Sequence, residues 1–229
     1  MTIAAGFYCK DGVVLAADTE ITFSGGAGKT YSSKMLLISS TLGCHATYAG
    51  SPDVAKELGR ELSQSVKEQT EHGALQALIA AYKAYWDENY APSPESDTTS
   101  MLVTLREGDK TRLYVLRNRH FVPVREYEAL GIGNEQAEAL FNPLHSPSMT
   151  IAQARYMAIY GLRIVKEFVQ GCGGETEITE VENKPYRPPD LSFYFQDIEE
   201  IEEHFEFFDQ QMRPLIFAFA DLWVTKCSF

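Results

Sequence analysis

The chain starts "MTIAAGFYCKDGVVLAAD", which puts a threonine directly behind the first methionine and at the head of a run of small, β-branched and aromatic residues. A threonine hydroxyl is a weak nucleophile at neutral pH and needs a base held within hydrogen-bond reach. Removal of Met1 would free the α-amine of Thr2, whose ordinary pKa of about 8 suits a general base near neutrality. A first strand ordered from Thr2 onward would fix both the hydroxyl and the amine. Asp18 closes the strand expected to pair with the first, and Lys34 opens the next. An ammonium beside Thr2 lowers the pKa of its hydroxyl, while a carboxylate keeps that ammonium charged and oriented. The same Asp and Lys also make a plain strand-end salt bridge, the commoner use of such a pair.

Hairpins must hold these residues together. Thr2 to Cys9 and Val13 to Asp18 flank the turn "KDG", and Lys34 to Ser39 and Gly43 to Gly50 form a second pair. The period then changes. Pro52 and Asp53 open a segment with Val54, Leu58, Leu62 and Val66 on one stripe, which predicts an amphipathic helix. A second helix is expected from about Ala74 to Tyr90. Strands follow around Met101 to Leu105, Arg112 to Leu116 and His120 to Val124, and "EALGIGNEQAEAL" passes from strand through a glycine turn into a helix. A long helix from about Ile151 to Gln170 precedes "GCGG" and the strand "ETEITEVE". Strands, two helices, strands, two helices and a strand predict an α+β fold: two antiparallel sheets face to face, with a helix pair on each outer face.

The three prolines of "KPYRPPD" mark a boundary, giving one domain over 1–183 and an extension over 184–229. In that extension "DIEEIEEHFEFFDQQM" sets Ile198, Ile201, Phe205, Phe208 and Met212 on one stripe with acids opposite, a helix expected to dock by one face within the chain. "GGAGKT" at Gly25 to Thr30 imitates a phosphate-binding loop. It fails because Phe23 stands where the first glycine belongs, and because the loop leads into a strand rather than a helix N-terminus.

The 229 residues carry a net charge of -12, so no basic face is available for nucleic acid. Cys9, Cys44, Cys172 and Cys227 form no CxxC pair and read as buried small residues of a reducing compartment, with no metal site. Neither a secretory leader nor a run long enough to span a membrane is evident, which places the protein in the cytoplasm as an expectation.

"TIAAGFYCKDGVVLAADTEIT", the lysine of "YSSKMLLI" and the "YAGSPD" turn into a helix resemble the catalytic β-subunits of the proteasome and the related bacterial HslV peptidase. The resemblance runs in order over residues 2 to about 183 and is most specific in the first fifty. It implies an N-terminal nucleophile (Ntn) hydrolase with a four-layer αββα sandwich, no cofactor and no propeptide beyond Met1. Thr2 matches the nucleophile, Asp18 and Lys34 its charged partners, and Gly50 the glycine whose N–H helps bind the oxyanion. Thr22 matches the backbone that pairs with a substrate strand, and Ile21, Leu36 and Tyr48 match the lining of the specificity pocket, implying a shallow apolar site. A homo-oligomeric ring and an ATPase partner are further implications.

The chain departs from the family in places. Ile132 stands in "GIG" where active subunits carry serine, Glu167 and Gln170 stand for a supporting aspartate and serine, and Pro52 lacks the N–H that would bind a peptide. The expected function is a threonine-type hydrolase of amide bonds, peptides foremost. Pro52 leaves open a non-peptidase amidohydrolase, and Ile132 an inactive structural ring component.

Overall fold

β1 (Ile3–Cys9) and β2 (Gly12–Asp18) are antiparallel neighbours, with Ala4 opposite Ala17 and Cys9 opposite Gly12. Nearly every residue of both is buried because the sheet they centre is covered on both faces. The computed structural model describes residues 2–22, 28–89, 99–183 and 198–211.

After β2 come a short ribbon of β3 (Glu20–Thr22) and β4 (Lys29–Tyr31), then β5 (Met35–Ser39) and β6 (Cys44–Ala49). Helices α1 (Pro52–Val66) and α2 (Glu71–Asn89) follow, and then β7 (Ser100–Glu107), β8 (Lys110–Arg117), β9 (His120–Pro123) and β10 (Tyr127–Gly131). Helices α3 (Asn134–Leu144) and α4 (Ile151–Phe168) lead to β11 (Thr176–Glu182). One sheet has the order β10-β1-β2-β11, the other β5-β6-β7-β8-β9, with every pairing antiparallel.

Three apolar layers hold this stack. Leu58, Leu62, Leu78 and Tyr82 of α1 and α2 pack on Ala46, Tyr48, Met101 and Val103 of the five-stranded sheet. Phe141, Ala154, Ala158 and Leu162 of α3 and α4 pack on Ile3, Ala5, Phe7, Val14 and Ala16 of the four-stranded sheet. Between the sheets, Ala4, Val13, Leu15 and Ala17 meet Ala49, Leu102 and Leu113. The result is an αββα sandwich.

Local signals set the element ends. Pro52 occupies the first turn of α1, where its missing N–H costs nothing. Thr150 and Gln153 cap each other at the start of α4, and Asp11 Oδ1 accepts the Ile151 N–H at 2.8 Å, tying the β1–β2 turn to that helix. Helix α2 begins at Glu71, earlier than its apolar stripe suggested, because the Thr70 carbonyl accepts the N–H groups of Gly73 and Ala74. The segment that imitates a phosphate loop enters the strand β4, and no helix follows Thr30 to hold a phosphate.

The chain divides into two compact units, Met1–Pro189 and Asp190–Phe229. In the second, residues 198–211 are helical, with Ile198 buried and Phe207 and Phe208 exposed at 64% and 55%. Phe208 therefore lies off the buried stripe, and Met212 lies outside the described residues. Among the described residues no helix is long and apolar enough to cross a membrane. Cys9, Cys44 and Cys172 are buried free thiols, and Cys227 lies outside the described residues.

Candidate active site

Pairing of β1 with β2 brings the start of one strand beside the end of the other, so Thr2 and Asp18 meet at one edge of the sandwich. The Thr2 hydroxyl donates to Asp18 Oδ1 at 3.1 Å, and the Ile3 N–H donates to the same oxygen at 3.0 Å. Lys34 reaches in from the approach to β5, its Nζ 2.5 Å from Asp18 Oδ1 and 2.6 Å from the Glu20 carbonyl oxygen. The loop between α4 and β11 completes the shell, with the Gly173 N–H donating to Asp18 Oδ2 at 2.9 Å. Lys34 is itself anchored by its backbone N–H, which donates to Glu177 Oε2 at 2.9 Å.

The three side chains are almost wholly enclosed: Asp18 is 0%, Lys34 1% and Thr2 2% exposed. Burying an ion pair costs several kcal/mol per ion unless hydrogen bonds satisfy it on every side. Asp18 accepts four such bonds, which offsets the cost and locks the carboxylate in place. Burial lowers the Lys34 pKa below its ordinary value, against the opposing pull of Asp18. Cys172, adjoining this cluster, is pushed up to about 12, first by burial and then by the charge of Asp18, so it is a thiol rather than a thiolate.

A glycine turn closes on the backbone of Thr2. Gly131 lies opposite Ile3 with φ +96°, and a Cβ there would stand 2.2 Å from the Thr2 carbonyl oxygen. The Gly133 N–H points to that same oxygen at 3.4 Å. Ile132 between them is 48% exposed and brings no polar group to the turn. Gly50 follows β6 with φ +121°, and a Cβ there would meet the Thr99 backbone at 2.7 Å. Only glycine fits that turn. The next N–H, of Ser51, donates to Thr99 Oγ1 at 3.1 Å, and Pro52 begins α1 with no N–H to offer.

The other residues singled out in the sequence fall in four places: strand β3, two grooves and the core. Ile21 and Thr22 lie on β3, both half-buried, and the Thr22 hydroxyl points to Glu20 Oε1 at 3.4 Å. Leu36 faces a groove between β5 and α1, beside Asp53, Lys56 and Gly59. Tyr48 is 1% exposed and packs in the core between the five-stranded sheet and its helices. Glu167 and Gln170 line a second groove of about 620 Å³, bounded by β3, β4 and the end of α4. Glu167 points along the helix to Arg163, and the residues beside the Thr2–Asp18–Lys34 cluster are instead Cys172 and Gly173. Sequence reasoning passed over these two, together with Glu20 and Glu177; the glycines of "GCGG" were the available signal of close backbone approach.

No protein-family model and no curated protein sequence matches the chain. Solved structures do. A mutant of Anbu from Hyphomicrobium sp. strain MC1 superposes with a TM-score of 0.73 over 93% of this chain and 97% of that one, at 13% identity. Anbu, described as an ancestral β-subunit, from Yersinia bercovieri gives 0.72 over 96% and 97%, at 14% identity. The fold is that of Anbu. At such identity the likeness shows the αββα fold alone and leaves the chemistry to the residues present here.

Proposed function

We propose that the protein is an N-terminal threonine hydrolase of amide bonds, peptide bonds foremost, active once Met1 is removed. The observation that carries this reading is the buried chain of contacts from Thr2 Oγ1 through Asp18 Oδ1 to Lys34 Nζ, at 3.1 and 2.5 Å. A solvent-screened strand-end salt bridge needs neither full enclosure nor a hydroxyl on the same oxygen.

In this mechanism Thr2 Oγ1 attacks the carbonyl carbon and its proton passes to the freed α-amine. Lys34, kept close by Asp18, lowers the cost of negative charge on Oγ1. The Gly50 N–H is the proposed donor to the oxyanion of the tetrahedral intermediate, an interaction of about 3 kcal/mol for a donor of this kind. Collapse breaks the C–N bond, the departing nitrogen takes the proton from the α-amine, and water activated by the same amine releases the acyl group from Thr2. Self-association into a ring, and an ATPase partner, belong to this proposal by likeness to the proteasome.

Ile132 favours a second reading, an inactive ring component, because it places an aliphatic side chain where the resemblance expects a serine. Hydrolysis of fluorogenic amide substrates separates the two: the Met1-free protein is expected to turn them over and its Thr2→Ala variant is not. Absence of turnover in a folded, Met1-free protein across apolar, basic and acidic substrates would leave the structural reading in place.

A further inference from the structure

The groove beside the Thr2 cluster holds one buried charge that the mechanism does not use. Glu20 is 5% exposed, and its backbone is bonded on both sides to the catalytic cluster: the N–H donates to the Gly173 carbonyl at 3.0 Å, and the C=O accepts Lys34 Nζ at 2.6 Å. The position of Glu20 relative to Thr2 is thereby fixed. The carboxylate lies in the groove wall with Thr22, Lys29 and Cys172, and a Cβ on Gly173 would stand 2.5 Å from its Oε2. Its cationic partner is Lys29, whose Nζ is 3.0 Å from Oε2. That lysine comes from the fully exposed strand β4 and its side chain is itself 57% exposed.

We infer that Glu20 is a subsite for a cationic group of the substrate, an ammonium or guanidinium near the scissile amide, and that Lys29 is a tethered occupant which the substrate displaces. The inference rests on the threonine-hydrolase reading for the bond that is cut. Leaving a buried carboxylate bare costs far more than a surface ion pair returns. Exchange of one cation for another avoids that cost, since Lys29 returns to water as the incoming group takes its place. An anion in the same position would meet the charge of Glu20 at close range. Phe168, 69% exposed on the rim, gives the alkyl stem of a lysine or arginine an apolar surface to lie on.

Binding to the Met1-free Thr2→Ala protein tests this without relying on catalysis. The probes are fluorescein-labelled peptides carrying lysine, norleucine or glutamate in turn at each of four positions around one amide, read by fluorescence anisotropy. At one position the lysine peptide is expected to bind about 10-fold tighter than the norleucine peptide, the margin by which a cation held in the groove outcompetes the half-exposed Lys29. Adding Glu20→Gln is expected to erase that difference, and adding Lys29→Ala to strengthen lysine binding several-fold, because the competitor is gone. The Lys29 variant changes only an exposed residue and keeps the test open if the Glu20 variant folds poorly. Equal binding of lysine and norleucine peptides, a preference for glutamate, no binding of any peptide, or a lysine preference that survives Glu20→Gln would overturn the subsite. If lysine is preferred here while the Met1-free protein cleaves nothing, the hydrolase reading fails and the subsite stands. Cleavage without the preference has the opposite meaning.

Discussion

Lys34 Nζ and the Thr2 hydroxyl converge on a single atom, Asp18 Oδ1, at 2.5 and 3.1 Å. The ion pair and the candidate nucleophile are therefore one structural unit: a shift of the carboxylate moves both. Four donors on Asp18 make such a shift costly, and enclosure strengthens every interaction in the group.

Lys34→Ala leaves Asp18 buried without its cation, so the variant is expected to lose about 3–5 kcal/mol of stability, the range for breaking a buried pair from one side. Turnover should fall about 100-fold or more if the ammonium assists Thr2. Urea denaturation together with turnover on a fluorogenic amide checks both. A stability loss with unchanged turnover would make the pair purely structural.

The lowered Lys34 pKa has consequences at alkaline pH. Between the folded value and the ordinary 10.5, the unfolded chain holds more protons than the folded one, so this residue makes stability rise with pH across that window. Activity moves the other way, because the ammonium is lost as pH climbs through the folded value. The alkaline limb of kcat should therefore titrate below 10.5, while denaturation midpoints show no matching loss over the first part of that limb. An alkaline limb at the ordinary lysine value would contradict the assigned role.

His45 behaves in the opposite range. Burial lowers its pKa from 6.5 to about 4, so the folded state favours neutral imidazole. The unfolded chain binds the proton first as pH falls, and stability contributed at neutral pH is lost between about 6.5 and 4, up to about 3 kcal/mol at 1.4 kcal/mol per unit. Replacing His45 with leucine is expected to flatten the dependence of the urea midpoint on pH over that interval, and an unchanged slope would show that other groups set it.

Gly50→Ala would drive a Cβ to 2.7 Å from the Thr99 backbone at φ +121°. The turn must shift, and with it the N–H assigned to the oxyanion. Turnover is expected to drop about 100-fold with a smaller change in KM, as for loss of an oxyanion donor. Equal kcat for both proteins, with melting unchanged, would remove Gly50 from the mechanism.

The sandwich was legible because its strands and helices carry their own periods and caps: "KDG" between β1 and β2, Pro52 at the head of α1, and Thr150 with Gln153 at the head of α4. Strand pairing alone brings Thr2 beside Asp18, whereas Lys34 comes from the approach to β5 in the other sheet and was marked by the chemistry an ammonium would supply and by the resemblance. The β3–β4 ribbon could not be read, since three exposed residues such as Lys29 to Tyr31 carry no alternation. Tyr48 illustrates a different limit. In β6, which is covered on both faces, neither set of alternate residues is marked as facing the helices, and the structure puts Cys44, Ala46 and Tyr48 there while Ala49 faces the other sheet. The Cys172–Gly173 contact depends on how a glycine-rich loop folds back after α4, which local sequence does not encode.

The most direct test of Thr2 as nucleophile is intact-mass measurement after incubation with a peptide epoxyketone, an electrophile that needs both the hydroxyl and a free α-amine of an N-terminal threonine. The Met1-free protein is predicted to gain the mass of one inhibitor, mapped to Thr2 by peptide sequencing, while the Met1-bearing form and Thr2→Ala gain none, because the Thr2 nitrogen is then an amide or the hydroxyl is missing. An unmodified, folded, Met1-free protein, or equal labelling of the Met1-bearing form, would contradict the assignment.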